Sequence, residues 1–347
     1  PRQGPSRRGS AQKIANFHFV NDQDAWAVGK AAHIYHTSDG GDTWERQLGE
    51  PLDNFRDVLF LDENNGWIVG DNGVLLETED GGQTWAALRS GTRQKIIGVH
   101  FGSLDSKWGW AMRRDGTVFY TTDGKKWSAG TTPMRPPLFE EDPPQPFVMN
   151  DVGFGQFSEG WAVGNDGQII HNQDGGPVWG PQRTTTGRDL MDVETKFVPL
   201  AWAVGSGGTV QRTINGGGYW KLPETNTGYD LHGVSFFSKR KGWAAGRYGI
   251  ILRATDGGFT WEAKSSGATT DLYDILAVSA QEIYAVGARG TILHSTDAGE
   301  TWKQQHTDID NDLYTIVHAR ASNTLWVVGQ WGVVLRQKIG SVKSSMR

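Results

Sequence analysis

The chain has 347 residues, 47 glycines, 16 tryptophans and a formal net charge of −5. A charge this small disfavours a general nucleic-acid surface, and no run of about 20 apolar residues is present to form a transmembrane helix. The absence of cysteine excludes disulfides, a thiol nucleophile and a thiolate metal site.

A repeat of about 41 residues runs along most of the chain. It is seen first in AWAVGKAAHIYHTSDGGDTW (25–44) and GWIVGDNGVLLETEDGGQTW (66–85), and then more loosely at 109–127. Further copies occupy 160–179, 201–220, 242–261 and 283–302, and a half copy, LWVVGQWGVVLRQ, lies at 325–337. Residues that return at a fixed period usually serve the scaffold, so these positions are interpreted first as structure.

Each copy predicts four short strands. The first is an alternating run such as RDVLFL (56–61), IIGVHF (96–101), LHGVSFF (231–237) or LYTIVHA (313–319). The GWxVG segment is the second strand, GxIxxT the third, and the fourth begins at the TW pair. No segment has a helical period. Four antiparallel strands repeated at this spacing predict an all-β propeller.

A turn of sequence TxDGGxTW lies between the third and fourth strands. We expect its aspartate to accept hydrogen bonds from the amides of its own turn, its glycines to supply left-handed backbone, and its tryptophan to pack between blades. This structural role is assigned to the Asp-box residues Asp39, Asp80, Asp123, Asp174, Asp256 and Asp297.

The repeat count predicts eight blades, with seven as the alternative. The eighth copy ends before its fourth strand, so we expect residues 1–12 to close the propeller, or else the tail at 338–347; 13–337 would be one propeller domain with an insertion at 128–150. Both ends are basic and could contact anionic lipid. Their charged residues are Arg2, Arg7, Arg8, Lys13, Lys338, Lys343 and Arg347.

Function is expected where the copies differ. The turn between the second and third strands lies opposite the Asp-box turn, and arginine and aromatic residues at such positions are typical of binding hot spots. The predicted partner-binding residues there are Lys30, Arg113, Arg114, Arg247, Tyr248, Arg289 and Trp331.

The insertion at 128–150 contains six of the 13 prolines, which disfavour an inner strand and favour a stiff, extended loop. A partner-binding loop is one interpretation and a tolerated surface insertion is the other. Arg135 and Phe139 are its predicted contact residues.

No cofactor or metal is expected. His36, His171 and His294 share one repeat position with Glu77 and several arginines, which indicates a solvent-facing strand position instead of a metal site. The GSGG segment at 205–208 has no helix after it, so it is a turn and not a phosphate loop.

The full pattern, GWxVGxxGx[IVL]xxTxDGGxTW, resembles the Ycf48/HCF136 family of photosystem II assembly factors, and its turn is similar to the Asp-box of sialidases. The resemblance covers about residues 13 to 337. It implies a non-enzymatic propeller that binds newly made membrane-protein subunits in the thylakoid lumen or periplasm. Photosystem II members of the family have seven blades. Because the chain begins at Pro1, we expect a signal segment to have been removed.

Two other functions stay open from the sequence. One is a periplasmic accessory subunit of an RND-type envelope transport complex, which the eight-blade count favours. The other is a sialidase-like glycoside hydrolase, for which Arg113, Arg247, Arg289 and Tyr248 could supply part of the site. A glutamate to pair with the tyrosine is missing from the turns between the second and third strands, and the Asp-box recurs in almost every copy, so the hydrolase is the weaker alternative.

Overall fold

The computed structural model describes residues 14–21, 23–48, 52–102, 108–130, 134–135, 145–155, 159–319, 323–330 and 333–340. These residues form an all-β propeller of eight blades, each an antiparallel sheet with its strands in chain order. The prediction of eight blades is therefore confirmed over the alternative of seven. No described helix is long and apolar enough to span a membrane.

The first three blades are four-stranded. Blade 1 is β1 (Ile14–Phe19), β2 (Ala25–Gly29), β3 (His33–Thr37) and β4 (Glu45–Leu48). Blade 2 is β5 (Phe55–Phe60), β6 (Gly66–Gly70), β7 (Leu75–Thr78) and β8 (Ala86–Ala87). Blade 3 is β9 (Ile96–Phe101), β10 (Gly109–Arg113), β11 (Val118–Thr121) and β12 (Trp127–Ala129).

The insertion forms a two-residue hairpin of β13 (Met134–Arg135) and β14 (Gln145–Pro146). Blade 4 follows as β15 (Met149–Phe154), β16 (Gly160–Gly164), β17 (Ile169–Asn172) and β18 (Gly180–Pro181). Blade 5 is β19 (Leu190–Glu194), β20 (Ala201–Gly205) and β21 (Thr209–Thr213), with one bridge from Arg212 to Lys221 at the fourth-strand position.

Blade 6 is β22 (Leu231–Phe236), β23 (Gly242–Gly246), β24 (Ile251–Ala254) and β25 (Glu262–Lys264). Blade 7 is β26 (Leu272–Ala277), β27 (Ile283–Gly287), β28 (Ile292–Ser295) and β29 (Lys303–Gln304). Blade 8 is β30 (Leu313–Ala319), β31 (Thr324–Gly329) and β32 (Val334–Lys338). Of the two candidates for its fourth strand, residues 1–12 lie outside the described residues. In the tail at 338–347, Lys338 ends the third strand, residues 339–340 form a turn, and 341–347 lie outside the described residues.

The chain divides into two compact units. The first comprises Pro1–Phe147, Asp174–Trp179 and Trp331–Val334, and the second comprises Val148–Gln173, Gly180–Gln330 and Leu335–Arg347. The single-domain boundaries expected from the sequence stay a prediction.

Stacked aromatic rings join one blade to the next within each unit. In the first unit the indole of Trp26, on the second strand of blade 1, stacks on Phe60 of blade 2 with ring centroids 3.6 Å apart. In the second unit Trp202 of blade 5 stacks on Phe236 of blade 6 at 3.7 Å, and the Asp-box tryptophan Trp261 meets the same ring edge-on at 5.9 Å. Both tryptophan positions of the repeat therefore belong to the contact between blades, where large buried rings contribute most to packing.

A hydrogen bond accompanies this stacking. The indole N–H of Trp202 donates to the carbonyl of Gly257 in the Asp-box turn of the next blade at 2.8 Å, and Trp243 donates to Ala298 at 3.1 Å. Trp67 makes the same bond to Gly124 in the first unit. The indole N–H would otherwise be a buried donor without a partner, so the bond fixes the tryptophan against one particular turn.

The expected solvent exposure of the repeated histidine position is wrong. His171 is buried and stacks on Trp161 at 4.2 Å, and His36 and His294 stack in the same way on Trp26 and Tyr284. The residue lies directly opposite the second-strand aromatic in the ladder, so its side chain covers that ring. Burial lowers the pKa of His171 to about 4.

Aspartates on the first strands join neighbouring blades of the second unit. Each first strand carries a bulge near its start. Just after the bulge, Asp192 accepts a hydrogen bond from the amide of Val234 in the next blade at 2.7 Å, and Asp274 accepts one from Ile316 at 2.9 Å. Burial raises the pKa of both carboxyls, that of Asp274 to about 6, and the nearby Asp151 carboxylate adds to the effect at Asp192.

Candidate partner-binding rim

The turn between the second and third strands has one backbone form in several blades. In Asp71–Gly73, Asn165–Gly167, Ser206–Gly208 and Arg247–Gly249 it is a single 3-10 turn whose middle residue is left-handed. The middle residues, with Arg289 of blade 7, have φ between 53° and 61°. They are Asn72, Asp166, Gly207, Tyr248 and Arg289. Within each unit, we call the surface formed by these turns and the loops that enter the first strands the rim.

The neighbouring blade fixes this conformation. In the second unit the amide of Tyr248 donates to the Asp271 carboxylate, which stands just before the first strand of the next blade, at 2.9 Å. The residue after Tyr248 must be glycine, since a Cβ at Gly249 would lie 2.3 Å from the carbonyl oxygen of Ala268. The backbone is thus held from both sides, while the side chain at the middle position points to a less crowded surface.

Tyrosine is an unfavourable residue for the left-handed backbone conformation that Tyr248 adopts. A left-handed conformation costs a non-glycine residue about 1–2 kcal/mol, and Asn, Asp and Gly, which tolerate it best, fill three of the other middle positions. The Tyr248 side chain is 55% exposed. It meets Tyr229 edge-on at 5.2 Å, and the Arg247 guanidinium lies 5.2 Å from its ring. Tyr229 itself is 50% exposed.

Three arginine side chains lie on the same rim as the Tyr229–Tyr248 pair. Arg289 is exposed at the middle of the blade 7 turn, and it forms no ion pair among the described residues. Arg188 is exposed in the loop before blade 5 and donates to the carbonyl of Gly207 at 2.6 Å. Arg247 pairs with Asp230 at 3.4 Å, an exposed pair that contributes little stability.

Two open cavities lie along this part of the rim. One, of about 330 Å³, is lined by Tyr229, Tyr248, Lys264, Ser266 and Thr269. The other, of about 390 Å³, is lined by Arg289, Gln304, His306 and Thr307. The walls of the Arg289 cavity are mainly polar, whereas those of the Tyr248 cavity are partly apolar. Open cavities of both kinds on one surface suit an extended peptide chain better than a small apolar ligand.

The remaining predicted contact residues have different surroundings. Lys30 and Arg114 are exposed in the turns of blades 1 and 3. Arg113 is turned back onto the Asp115 carboxylate, and only 14% of its side chain is exposed. Arg135 lies in β13, whereas Phe139 and Trp331 fall outside the described residues. The binding role of this set stays a prediction.

Two rim residues, Arg188 and Tyr229, are absent from the set predicted by sequence. Both stand directly before an Asp-Leu pair that opens a first strand, in RDL (188–190) and YDL (229–231). The same pair recurs in TDL (270–272) and NDL (311–313), so the variable residue in front of it was a readable signal. This position lies outside the turns between the second and third strands, which are the turns where the sequence predicts function.

The opposite end of the blades holds the Asp-box turns. Asp256 accepts hydrogen bonds from the amides of Phe259 and Thr260 and from the Thr260 hydroxyl, all between 2.8 and 3.1 Å. Asp39 and Asp80 make the equivalent bonds with Thr43 and Thr84. At Asp297, the Thr301 hydroxyl, the Thr301 amide and the Ser295 hydroxyl lower the carboxyl pKa to about 2. Each carboxylate is occupied by its own turn, as in a structural clip.

The fold and the repeat together define the class: an eight-bladed β-propeller of Asp-box repeats. The family model described as "Photosynthesis system II assembly factor YCF48" matches residues 48–138 and 262–338. The chain resembles Ycf48-like proteins over these two segments, and the resemblance stated from the repeat is confirmed.

Solved structures agree with this fold. A structure described as YCF48 bound to a D1 peptide has a TM-score of 0.63 at 22% identity, over 96% of this chain and 93% of that one. YCF48 from Cyanidioschyzon merolae has a TM-score of 0.61 at 21% identity, over 85% and 98%. The computationally designed Ika8 protein reaches 0.73 at 12% identity, over 95% and 98%.

A search of curated protein sequences gave no significant match. The family match favours the assembly-factor resemblance over the transport-accessory and glycoside-hydrolase alternatives. In the described part of the chain, no group of three or more His, Asp or Glu side chains is arranged to hold a metal ion.

Proposed function

We propose that this protein is a non-catalytic assembly factor of the photosystem II type, which binds a subunit of a membrane protein complex through its rim. The observation that carries the proposal is Tyr248: an exposed aromatic held in a left-handed conformation, where residues that tolerate this backbone better fill other turns. Backbone strain kept at an exposed position indicates that the side chain is used.

The surroundings of Tyr248 support a chain-binding role. Tyr229, Tyr248 and the arginines 188, 247 and 289 are of the residue types that dominate protein-binding hot spots. Guanidinium groups bind carboxylates and backbone carbonyls of a partner chain, and the tyrosines supply flat contact area with a polar tip. The D1 peptide named with the similar YCF48 structure is a ligand of this kind.

The partner class and the location follow from the same proposal. The bound subunit is an integral membrane protein or its assembly intermediate, and the chain acts on the extracytoplasmic side, in the thylakoid lumen or the periplasm. The family resemblance supports this location. Protease protection of the native protein in sealed membrane vesicles tests it: a cytoplasmic protein would be degraded as fast as a cytoplasmic marker.

Affinity purification from detergent-solubilised native membranes tests the function. The tagged full chain should retain photosystem II subunits, and the variant R188Q/R247Q/R289Q should retain less than a tenth as much. A variant with the same charge change on the opposite end of the blades, K239Q/R240Q/K241Q, serves as the matched control. Equal recovery by the parent and the rim variant would contradict the assigned site, and recovery of no membrane protein by the parent would contradict the function.

A direct binding assay defines the ligand. Overlapping synthetic peptides that cover D1 are titrated into the full chain by fluorescence anisotropy. We expect one region to bind, at least tenfold more weakly to Y248A than to the parent. If no D1 peptide binds while other subunits co-purify, the partner is a different subunit of the complex.

A further inference from the structure

A second exposed surface lies at the Asp-box end of blades 5 and 6. The hairpin between β22 and β23 carries Phe237, Lys239, Arg240 and Lys241 in the sequence FSKRK (237–241). It is closed by a hydrogen bond from the Phe237 amide to the Lys241 carbonyl at 3.0 Å, and the Ser238 hydroxyl accepts from the Lys241 amide. The backbone is therefore rigid, while the three basic side chains are left to the surface.

This hairpin has the same backbone closure as three of its counterparts and differs from them in its side chains. The loops at 20–24, 61–65 and 278–282 are closed by the same amide-to-carbonyl bond. Their sequences, VNDQD, LDENN and VSAQE, contain aspartate or glutamate and no lysine or arginine. The corresponding loop of blade 6 contains three lysine or arginine residues and no acidic residue. Among the described residues, none of these three bases forms an ion pair.

Exposed aromatic residues adjoin the basic hairpin. Gly257 of the Asp-box turn donates to the carbonyl of Arg240 at 2.8 Å, and two residues further on Phe259 is 51% exposed. Phe237, at the base of the hairpin, is 41% exposed. One face of Phe259 is covered by the Arg212 guanidinium, 3.6 Å from its centroid.

The surface continues onto blade 5. Tyr219 is 44% exposed in the turn of that blade, where Asn215 replaces the Asp-box aspartate. The Lys221 ammonium lies 5.9 Å from the Tyr219 ring. Asp256 is the acid of the blade 6 turn, and its carboxylate is bonded to Thr260 and to turn amides. We define the aromatic–basic patch as Tyr219, Phe237, Lys239, Arg240, Lys241 and Phe259.

We propose that the aromatic–basic patch binds the surface of a bilayer that contains anionic lipid. Lysine and arginine near such a surface are attracted by its negative potential, and aromatic side chains at loop tips partition to the headgroup level. The charge of the hairpin is complementary to an anionic headgroup layer. An acidic protein would meet the charges equally well, but it gives less reason for exposed phenylalanines in two separate loops.

The patch and the rim lie at opposite ends of the blades of the second unit, because a two-to-three turn and an Asp-box turn end the same strand from opposite directions. A protein held to lipid by the patch would therefore keep Arg247, Tyr248 and Arg289 turned away from the bilayer. Lipid binding and partner binding are separate properties, and each can be lost without the other.

Vesicle co-sedimentation tests this inference. The full chain is mixed with vesicles of phosphatidylcholine alone or of phosphatidylcholine and phosphatidylglycerol at 7:3. We expect binding only to the mixed vesicles. Each base near an anionic surface contributes about fivefold, so K239Q/R240Q/K241Q should bind about 100-fold more weakly. The variant F237S/F259S should also weaken binding, and raising the salt to 0.5 M should weaken that of the parent.

The control is R188Q/R247Q/R289Q, which changes the net charge equally at the rim and should bind vesicles like the parent. Circular dichroism melting of every variant shows that it is folded. The inference is overturned if the parent does not bind phosphatidylglycerol vesicles, which would leave an acidic protein as the occupant. It is also overturned if the hairpin and rim variants lose binding equally. Because the hairpin variant should still retain membrane subunits in the purification assay, failure here leaves the proposed function intact.

Discussion

Both ends of the blades in the second unit are built on left-handed turn residues, but the two ends differ in which of these positions accept a side chain. In the Asp-box turn of blade 6 a Cβ at Gly258 would lie 2.9 Å from the indole nitrogen of Trp202, in the previous blade. At the rim the same backbone region is occupied by Tyr248 and Arg289. Contact with the neighbouring blade therefore requires glycine at the second left-handed position of the Asp-box turn, although the first holds Ala298 in blade 7. At the rim the neighbouring blade contacts the backbone of the middle residue, and its side chain is free to vary.

This difference between the Asp-box end and the rim predicts that stability depends on the first and partner binding on the second. Changes at the Asp-box end should reduce the free energy of unfolding and leave partner binding alone in the protein that stays folded. Changes at the rim should do the reverse. Four experiments test this separation, beginning with the largest expected effect.

Replacing Trp202 with alanine removes the stack on Phe236 and the bond to Gly257. We expect a loss of about 3–5 kcal/mol in the free energy of unfolding, as for other buried aromatic residues. Urea unfolding followed by tryptophan fluorescence measures it. W202F keeps the stack and loses only the hydrogen bond, so it should cost about 1–2 kcal/mol. An equal cost for both variants would show that stacking contributes little.

Gly258→Ala tests crowding at the Asp-box end. The substitution places a Cβ against Trp202 and forces a left-handed alanine, so we expect a loss of about 2–4 kcal/mol. Gly267→Ala is the matched control, since Gly267 has φ +73° and a Cβ added there would meet no heavy atom within 4 Å. It should cost only the left-handed conformation, about 1 kcal/mol. Equal losses would mean that conformation alone, and not the neighbouring blade, selects glycine.

Acidification should distinguish the buried first-strand aspartates from the Asp-box aspartates. The pKa of Asp274 is raised to about 6 by burial. The folded protein therefore binds more protons than the unfolded chain, and its stability increases as the pH falls from 7 towards 4. Asp297, whose pKa is lowered to about 2 by bonds from Thr301 and Ser295, has the opposite effect, because its stabilisation is lost as the pH falls from 4 towards 2.

The size of the first effect can be isolated with Asp274→Asn. Between pH 7 and 5 the parent should gain about 1 kcal/mol from this residue, and the variant should lack that gain. Urea unfolding at both pH values measures the difference. A parent and variant with parallel pH profiles would show that Asp274 does not titrate in this range.

Tyr248→Gly gives the smallest change in stability. Glycine relieves the left-handed strain but loses more entropy on folding, so the free energy of unfolding should stay within about 1 kcal/mol of the parent. Binding of the D1 peptides should fall at least tenfold. A variant that binds like the parent would show that the tyrosine is tolerated at the rim and not used there.

The periodic part of this architecture was readable from the sequence. LHGVSFF predicted a strand where β22 runs from Leu231 to Phe236, and the glycine-rich turns predicted the left-handed positions. Alternation and turn chemistry are local properties, so one repeat suffices to show them. The resemblance of the repeat to Ycf48-like proteins came from the same residues.

The side-chain contacts between and within blades could not be predicted from the sequence in the same way. His171 looked exposed because it is polar and alternates with arginine along the repeats, yet it covers Trp161. The sequence of one repeat does not show that the Trp161 ring, which lies opposite His171 in the strand pairing, is covered by the His171 side chain. Arg113 was predicted as a contact residue, but its charge is taken up by Asp115 two positions later. Tyr229 and Arg188 reach the rim from a different loop, so no single stretch of sequence contains the site.

The left-handed turn of each blade also has a consequence for engineering. Asn72, Asp166, Gly207, Tyr248 and Arg289 share one backbone conformation, and in several blades the turn amide is capped by the aspartate of the following blade. A library randomised at the four non-glycine codons of this set would thus display new side chains on an unchanged support, whereas a Cβ at Gly207 would collide with the Arg188 guanidinium. Selection from it should yield binders whose melting temperatures vary little, so that specificity could be rewritten one blade at a time.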